Sequence, residues 1–481
     1  MAVPEPAGSL SSAHPPSLRW GLASLALSML LSSLGTSIAN VALPTLAEAF
    51  GTTFQAVQWV VLAYLLAITT LIVSVGRLGD LTGRRRLLLG GILLFTAASF
   101  LCGMATTLGM LIAARAAQGL GAAIMMALTM AFVGATVPKA KIGGAMGLLG
   151  TTSAIGTALG PSLGGVLIAA FGWRAIFFVS VPLGFVSWGL VRHFLPADRP
   201  RAITERIRFD TVGTLLLAAT LGAYALALTL GRGHFGALNL ILVLTAAVGV
   251  GLFVFAESRA TAPLVRLSMF RDPVLSAGLA MSLLVSTVVM ATLVVGPFYL
   301  ARGLGLEAAL VGLVMSAGPL VAAVTGVPAG HLVDRLGAQR MTVLGLVGMA
   351  VGSCLLAVMP ASTGVAGYLV PIVTVTAGYA VFQAANNTAV MAGSRPDQRG
   401  VVSGMLNLSR NLGLITGAAF MGAVFAVASG TADITAARPD AIAIGMRSTF
   451  ALATLLMVGA LALAAGSRAR SRSNRPSQAP A

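Results

Sequence analysis

Residues 147–165, GLLGTTSAIGTALGPSLGG, decide how this chain is read, because their glycine frame is written twice. Gly147, Gly156 and Gly160 stand nine and four residues apart, and Gly404, Gly413 and Gly417 in GMLNLSRNLGLITG (404–417) repeat those spacings at an offset of 257. Gly143 and Gly400 extend the match at the same offset. A second pattern also returns: Gly76-x3-Asp80-x2-Gly83 reappears as Gly330-x3-Asp334-x2-Gly337, offset 254. Two unrelated patterns recurring at nearly one offset imply two homologous halves.

Around these repeats the chain is almost all apolar. Of its 481 residues 57% are hydrophobic and only 9% charged, with a mean hydropathy of +0.95, so it has too little polar surface for a soluble domain. Runs of about 20 apolar residues cross a bilayer as helices. The sequence predicts an all-α polytopic membrane protein with fourteen spans, near 20–43, 56–75, 87–106, 108–131, 144–168, 173–194, 211–230, 237–256, 275–300, 308–329, 341–360, 366–390, 400–427 and 448–466.

The expected organisation is a disordered cytoplasmic tail (1–18), an N-terminal six-helix bundle (19–194), charged linkers with a two-helix insert (195–272), a C-terminal six-helix bundle (273–466) and a basic tail (467–481) without fold. The insert, nearly free of polar residues, reads as a lipid-facing spacer.

The formal charge of +17 is a matter of topology rather than of nucleic-acid binding. Most Lys and Arg fall on one side of the predicted spans, in Arg84–Arg86, in 199–208 and in the tail, which is the positive-inside bias and places both termini in the cytoplasm. No basic, aromatic-bearing soluble domain exists to hold nucleic acid. Cys102 and Cys354 lie inside spans and read as packing residues, so neither a disulfide nor a metal site is expected. Trp20, Trp59 and Trp173 stand at span ends, where they read as membrane-edge anchors.

Three motifs carry the functional argument. The loop Gly76-Arg77-Leu78-Gly79-Asp80-Leu81-Thr82-Gly83-Arg84-Arg85-Arg86 links the second and third spans. Its glycines permit a tight turn, and Asp80 suits a helix N-terminus or a cation across the bundle interface. Together Gly76, Gly79, Asp80, Gly83, Arg84 and Arg85, with Gly330, Asp334 and Gly337 of the second copy, are candidates for gating. In the fourth span Arg115 and Gln118 share one face within Leu111–Gly121. A cation at mid-membrane costs about 2.5–3.5 kcal/mol on insertion scales, so Arg115 should face protein or water. In the fifth span Gly147, Gly156, Gly160, Pro161, Gly164 and Gly165 combine a small-residue stripe, suited to close helix approach, with a proline that removes one backbone hydrogen bond and lets the helix bend. Ala418 replaces that proline in the second copy, so the built-in bend is expected in the first half only.

The loop motif resembles the signature of the major facilitator superfamily, Leu111–Gly121 resembles its second signature, and the glycine-proline pattern is similar to the one that marks its exporters. With Asn40-Val41-Ala42-Leu43-Pro44, Trp59–Tyr64 and Gly172–Phe177, the chain resembles the fourteen-span drug:proton antiporter family (EmrB/QacA type) from about residue 20 to 466. The resemblance implies two six-helix bundles plus two extra central helices, in a plasma or inner membrane. It further implies export of small hydrophobic, often cationic, molecules by alternating access and proton antiport, with no cofactor and with a monomer as the unit.

One departure bears on chemistry. The family's first span usually carries an acid, and here that place is Gly35. All thirteen Asp and Glu fall in loops, tails or helix ends of the span map, so the proton carrier has no obvious owner. The polar residues within the spans form stripes at helical spacing: Ser33, Thr36, Ser37 and Asn40; Gln383, Asn386 and Asn387; Ser403, Asn407, Arg410 and Asn411. Such stripes serve helix packing, or else a shared cavity in which Arg115 and Arg410 supply positive charge and favour neutral or anionic amphiphiles. Substrate and coupling candidates are therefore Arg115, Gln118, Thr36, Asn40, Gln383, Asn386, Asn387, Asn407, Arg410 and Asn411. The four His show no HExxH spacing and no Gly-x-Ser-x-Gly elbow is present, so an enzyme is not expected. An uptake permease of the same fold is the nearer rival.

Overall fold

The computed structural model describes residues 18–136, 142–196, 198, 211–230, 236–259, 267–392, 399–430 and 437–473. Seventeen α-helices fill them: α1 Leu18–Val41, α2 Leu43–Ala49, α3 Phe54–Thr82, α4 Arg84–Met104, α5 Leu108–Thr136, α6 Ile142–Phe171, α7 Ala175–Phe178, α8 Ser180–Phe194, α9 Thr211–Thr229, α10 Ala237–Arg259, α11 Pro273–Phe298, α12 Ala308–Leu336, α13 Ala338–Val358, α14 Gly364–Ala392, α15 Arg399–Thr416, α16 Gly422–Ala428 and α17 Pro439–Ser473. Local chemistry sets the starts. The Thr53 hydroxyl accepts from Ala56 N at the head of α3, and the Asp272 carboxylate accepts from Val274 N at 2.8 Å with Pro273 in the first turn of α11.

Thirteen candidate membrane spans are found among the described residues, against the fourteen expected. The difference is α6, in which the stretch Ile155–Phe171 alone qualifies as a shorter apolar helix.

The duplication is visible in the backbone. Glycines with positive φ, a conformation that L side chains rarely adopt, recur in pairs: Gly51 (56°) with Gly305 (68°), Gly83 (95°) with Gly337 (85°), and Gly172 (79°) with Gly430 (64°). Helix pairings recur as well. In the first half α1 packs on α6, α3 and α4 on α5, and α1 and α4 on α8. In the second half α11 packs on α15, α12 and α13 on α14, and α11 and α13 on α17. Between the halves, α6 lies against α12 and α3 against α15.

Several expectations need correcting. The second glycine frame is also irregular despite losing its proline, because Gly417–Met421 forms a π-helical turn between α15 and α16. Of the insert, α10 is mostly exposed while α9 is stitched to both halves. Trp59 Nε1 donates to Thr229 Oγ1 at 3.0 Å, Ser74 and Thr214 hydroxyls meet at 2.9 Å, and Tyr224 OH donates to Thr416 Oγ1 at 3.3 Å. Of the three tryptophans Trp20 is exposed, but Trp173 is buried against Phe50 and Phe177. The C-terminal segment expected to lack fold is helical as far as Ser473, since α17 has 35 residues and the arginines after Gly466 favour a helix C-terminus. Residues 1–17, all of 199–208 and the chain beyond Ser473 lie outside the described residues.

Candidate functional site

The loop motif closes α3 and opens α4 through Gly83, at φ 95° and ψ 124°, and Gly337 does the same between α12 and α13 at 85° and 142°. Gly76 and Asp80 belong to the last turns of α3, and their side chains lie outside the described set. What binds the start of α4 is an acid the motif does not contain. Asp198, beyond α8, accepts from Arg85 N at 2.9 Å and Arg86 N at 3.0 Å, satisfying two free amides where the helix dipole favours a carboxylate. Arg85 in turn donates to the Arg192 carbonyl at the end of α8. A Cβ on Gly79 would lie 2.9 Å from Leu128 Cδ2, so α3 and α5 touch there. In the second copy Asp334 is exposed and Gly330 faces open space.

The glycine frame joins the first and fifth helices of each half. A Cβ on Gly156 would lie 2.7 Å from Leu30 O, one on Gly160 2.7 Å from Ser37 Cβ, and one on Gly164 3.1 Å from Ile38 Cγ1. Equivalent atoms on Gly413 and Gly417 would lie 2.7 Å from Ser286 Cβ and 2.6 Å from Met290 Cβ. Gly165 faces across to the other half, where a Cβ would sit 2.9 Å from Gly312 Cα. Pro161 is buried beside it, and its carbonyl is among the atoms nearest Gly312. Gly147 lies in the opening turns of α6, and Gly404 faces open space.

Arg115 is wholly enclosed within the first half. Its Nε donates to Val60 O at 2.9 Å and its Nη1 to Gly35 O at 3.1 Å and Gln118 Oε1 at 2.5 Å. Its guanidinium carbon stands 4.2 Å from the Tyr64 ring centroid, a cation–π contact. Gln118 Nε2 continues the chain to Ser99 Oγ at 2.7 Å. The carbonyl of Gly35, where the family pattern has an acid, thus takes one of the arginine's hydrogen bonds. This network pins α1, α3, α4 and α5 together. The stripe on α1 joins the same packing: Ser33 meets Ser153 at 2.6 Å, Ser37 donates to Gly156 O at 3.4 Å, Thr36 to Ser32 O, and Asn40 Nδ2 to Thr36 O at 3.2 Å.

The second half differs. Ser282 on α11, Gln383, Asn387 and Met391 on α14, and Leu406, Asn407 and Arg410 on α15 surround a cavity of about 150 Å³. Arg410 Nη2 donates to Asn407 Oδ1 at 2.8 Å. Asn386 Nδ2 bonds Gly278 O at 3.1 Å and Ser409 Oγ bonds Leu279 O at 2.5 Å, so the neighbouring polar residues clamp α14 and α15 onto α11. Asn411 is buried. A second cavity, of about 470 Å³, lies beside Gly337 and the start of α13. The two arginines named from sequence thus stand in different settings: Arg410 lines a cavity, whereas Arg115 is fully buried among carbonyls and the Tyr64 ring.

At the end opposite Gly83 and Gly337 the halves are in contact. Gln58 Nε2 on α3 donates to Ala418 O in the π turn at 2.9 Å, the Phe54 ring packs on Phe298 at 4.7 Å and Phe425 at 5.4 Å, and Glu48 pairs with Arg302. None of these residues was legible as functional in the sequence. Gln58 and Phe54 carry no spacing signal of their own, and Asp198 is one acid in a basic segment.

The Major Facilitator Superfamily profile matches residues 25–418. The chain belongs to this superfamily. This facilitator is 33% identical over 409 residues to "Multidrug resistance protein Stp" of Mycobacterium tuberculosis (strain ATCC 25618 / H37Rv), covering 84% of this chain and 75% of that one. It is 32% identical over 407 residues to "Uncharacterized transporter YebQ" of Escherichia coli (strain K12), covering 84% and 88%, and 31% identical over 402 residues to "Riboflavin transporter RibZ" of Clostridioides difficile (strain 630), covering 84% and 87%. Among solved structures it shares its fold with a bacterial homologue of the human lysosomal transporter Spinster in an inward-facing, unoccupied conformation, at TM-score 0.70 and 15% identity over 96% of this chain and 99% of that one. The facilitator is thus a multi-pass membrane transporter of small molecules, not an enzyme.

Proposed function

We propose that this facilitator exports hydrophobic or amphiphilic small molecules by alternating access, in exchange for protons. The observation that carries the first part is the contrast in packing. Within each half several helix pairs meet on glycine faces, and the Arg115 network further locks the first, while between the halves the seal at one end, among the described residues, rests on the single Gly165–Gly312 approach with ring contacts, the Gln58 amide hydrogen bond and the Glu48–Arg302 ion pair. Such a seal is weak enough to open and remake as rigid halves rock. The direction rests on likeness to Stp, named a multidrug resistance protein, and on the glycine-proline pattern of α6. In this reading the chain has fourteen spans in a plasma or inner membrane, both termini are cytoplasmic, and one copy is the transport unit. The loop glycines, Asp80 and Asp334 gate the cytoplasmic side.

Everted membrane vesicles test it. Energised vesicles holding the protein accumulate a fluorescent amphiphile that control vesicles do not, and a protonophore abolishes the accumulation. Loss of substrate from the vesicles instead would make the protein an uptake permease. Accumulation that survives the protonophore would remove proton exchange.

A further inference from the structure

The 150 Å³ cavity lies where the two halves stop being alike. The offset of 257 that carries Gly156 onto Gly413 carries Ser153 onto Arg410. In the first half Ser153 closes a hydroxyl pair with Ser33; in the second a guanidinium stands at the same point of the repeat and lines a cavity. Its surroundings are neutral and polar, from three helices: Ser282, Gln383, Asn387 and Asn407. Among the described residues no carboxylate pairs with Arg410; its hydrogen-bond partner is the Asn407 amide oxygen, which uses one of five donor positions. Arg410 is half-buried at this wall, where a cation without a counter-charge is less well solvated than in bulk water, and an anion entering beside it offsets part of that cost.

We propose that this cavity seats the carboxylate of an anionic amphiphile, with Arg410 as its counter-charge and the amides of Gln383, Asn387 and Asn407 fixing its orientation. The inference rests on the transport of amphiphiles proposed above and narrows their class. A site this small takes a head group, leaving the apolar body of a drug-sized molecule outside it. The clamps from Asn386 to Gly278 O and from Ser409 to Leu279 O hold the three walls in register without drawing on the cavity's own donors.

The test is binding to the full-length protein in detergent, by equilibrium dialysis, with three probes of one shape: 2-naphthoate, 2-naphthamide and a naphthylmethyl-trimethylammonium ion. The wild type holds the carboxylate about tenfold or more tighter than the amide, the scale of a charge-assisted hydrogen bond. Arg410→Gln removes that preference and leaves amide binding within about twofold, whereas Arg410→Lys keeps part of it. Asn387→Asp, which puts a negative charge on the α14 wall and so gives Arg410 a counter-charge of its own, abolishes the preference for the carboxylate. Equal binding of acid and amide by the wild type, or a preference unaltered in both Arg410→Gln and Asn387→Asp, overturns the proposal. Direction and energy source play no part in dialysis. Carboxylate preference without vesicle accumulation therefore refutes export alone, and accumulation of an uncharged amphiphile without carboxylate preference refutes this inference alone.

Discussion

Arg115 shows how a cation can be tolerated inside a membrane bundle without an acid. Three hydrogen bonds and the Tyr64 face replace part of its hydration, Nη2 alone making no hydrogen bond, and two of those bonds go to main-chain carbonyls that no side-chain substitution removes. A hydrogen bond to a charged group is worth about 1.5–3 kcal/mol, so the residue is a strut of the first half as well as a charge. Arg115→Ala should therefore abolish transport and lower the melting temperature in detergent while the protein still inserts. Arg115→Lys should retain under about a tenth of the transport rate, because an ammonium cannot reproduce the planar fork. Wild-type transport in Arg115→Ala would show that the network is dispensable.

At the scale of elements, the start of α4 depends on Asp198. Its two oxygens accept separate backbone amides, and the loop carrying it begins at the end of α8, which Arg85 also contacts. The N-terminus of one transmembrane helix is thus tied to the C-terminus of another through a single carboxylate. Capping of this kind is worth about 0.5–2 kcal/mol. Asp198→Ala should speed hydrogen exchange of the first-turn amides of α4 several-fold, leaving α5 unchanged. Equal exchange in wild type and variant would mean that solvent satisfies those amides as well as the carboxylate does. The insert behaves as two unlike helices. Hydrophobicity alone makes α9 and α10 look the same, but the hydroxyls of Thr214 and Thr229 bond to α3 and the phenol of Tyr224 to the last residue of α15.

For the whole molecule, the decisive contact is Gly165 against Gly312, where α6 and α12 approach too closely to admit a side chain. Any branched residue there must hold the halves apart at the end sealed by Phe54 and Gln58. Gly165→Leu should therefore shift the population toward the conformer open at that end, seen as faster maleimide labelling of a cysteine introduced by Val57→Cys, a position buried in the sealed state. Labelling at the wild-type rate would show that α6 and α12 do not limit closure. Gly164→Leu, which presses on α1 within its own half, should instead lower stability without favouring either end.

The membrane class, the duplication and the superfamily were legible in the residues alone, because these rest on quantities that add along a chain: hydropathy over 20 residues, glycine spacing, and an offset between copies. The sequence also placed Gln383, Asn387, Asn407 and Arg410 on stripes that the structure brings to one cavity, since helical periodicity reports which residues share a face. Periodicity does not say what that face meets. Only the tertiary structure separated Arg115, locked among carbonyls, from Arg410, which lines open space, and only it supplied Ser282, Asp198, Gln58 and Phe54. Those residues matter through partners far along the chain, Gln58 with Ala418 and Phe54 with Phe425 among them, and such pairings are set by how rigid helices dock rather than by any local pattern.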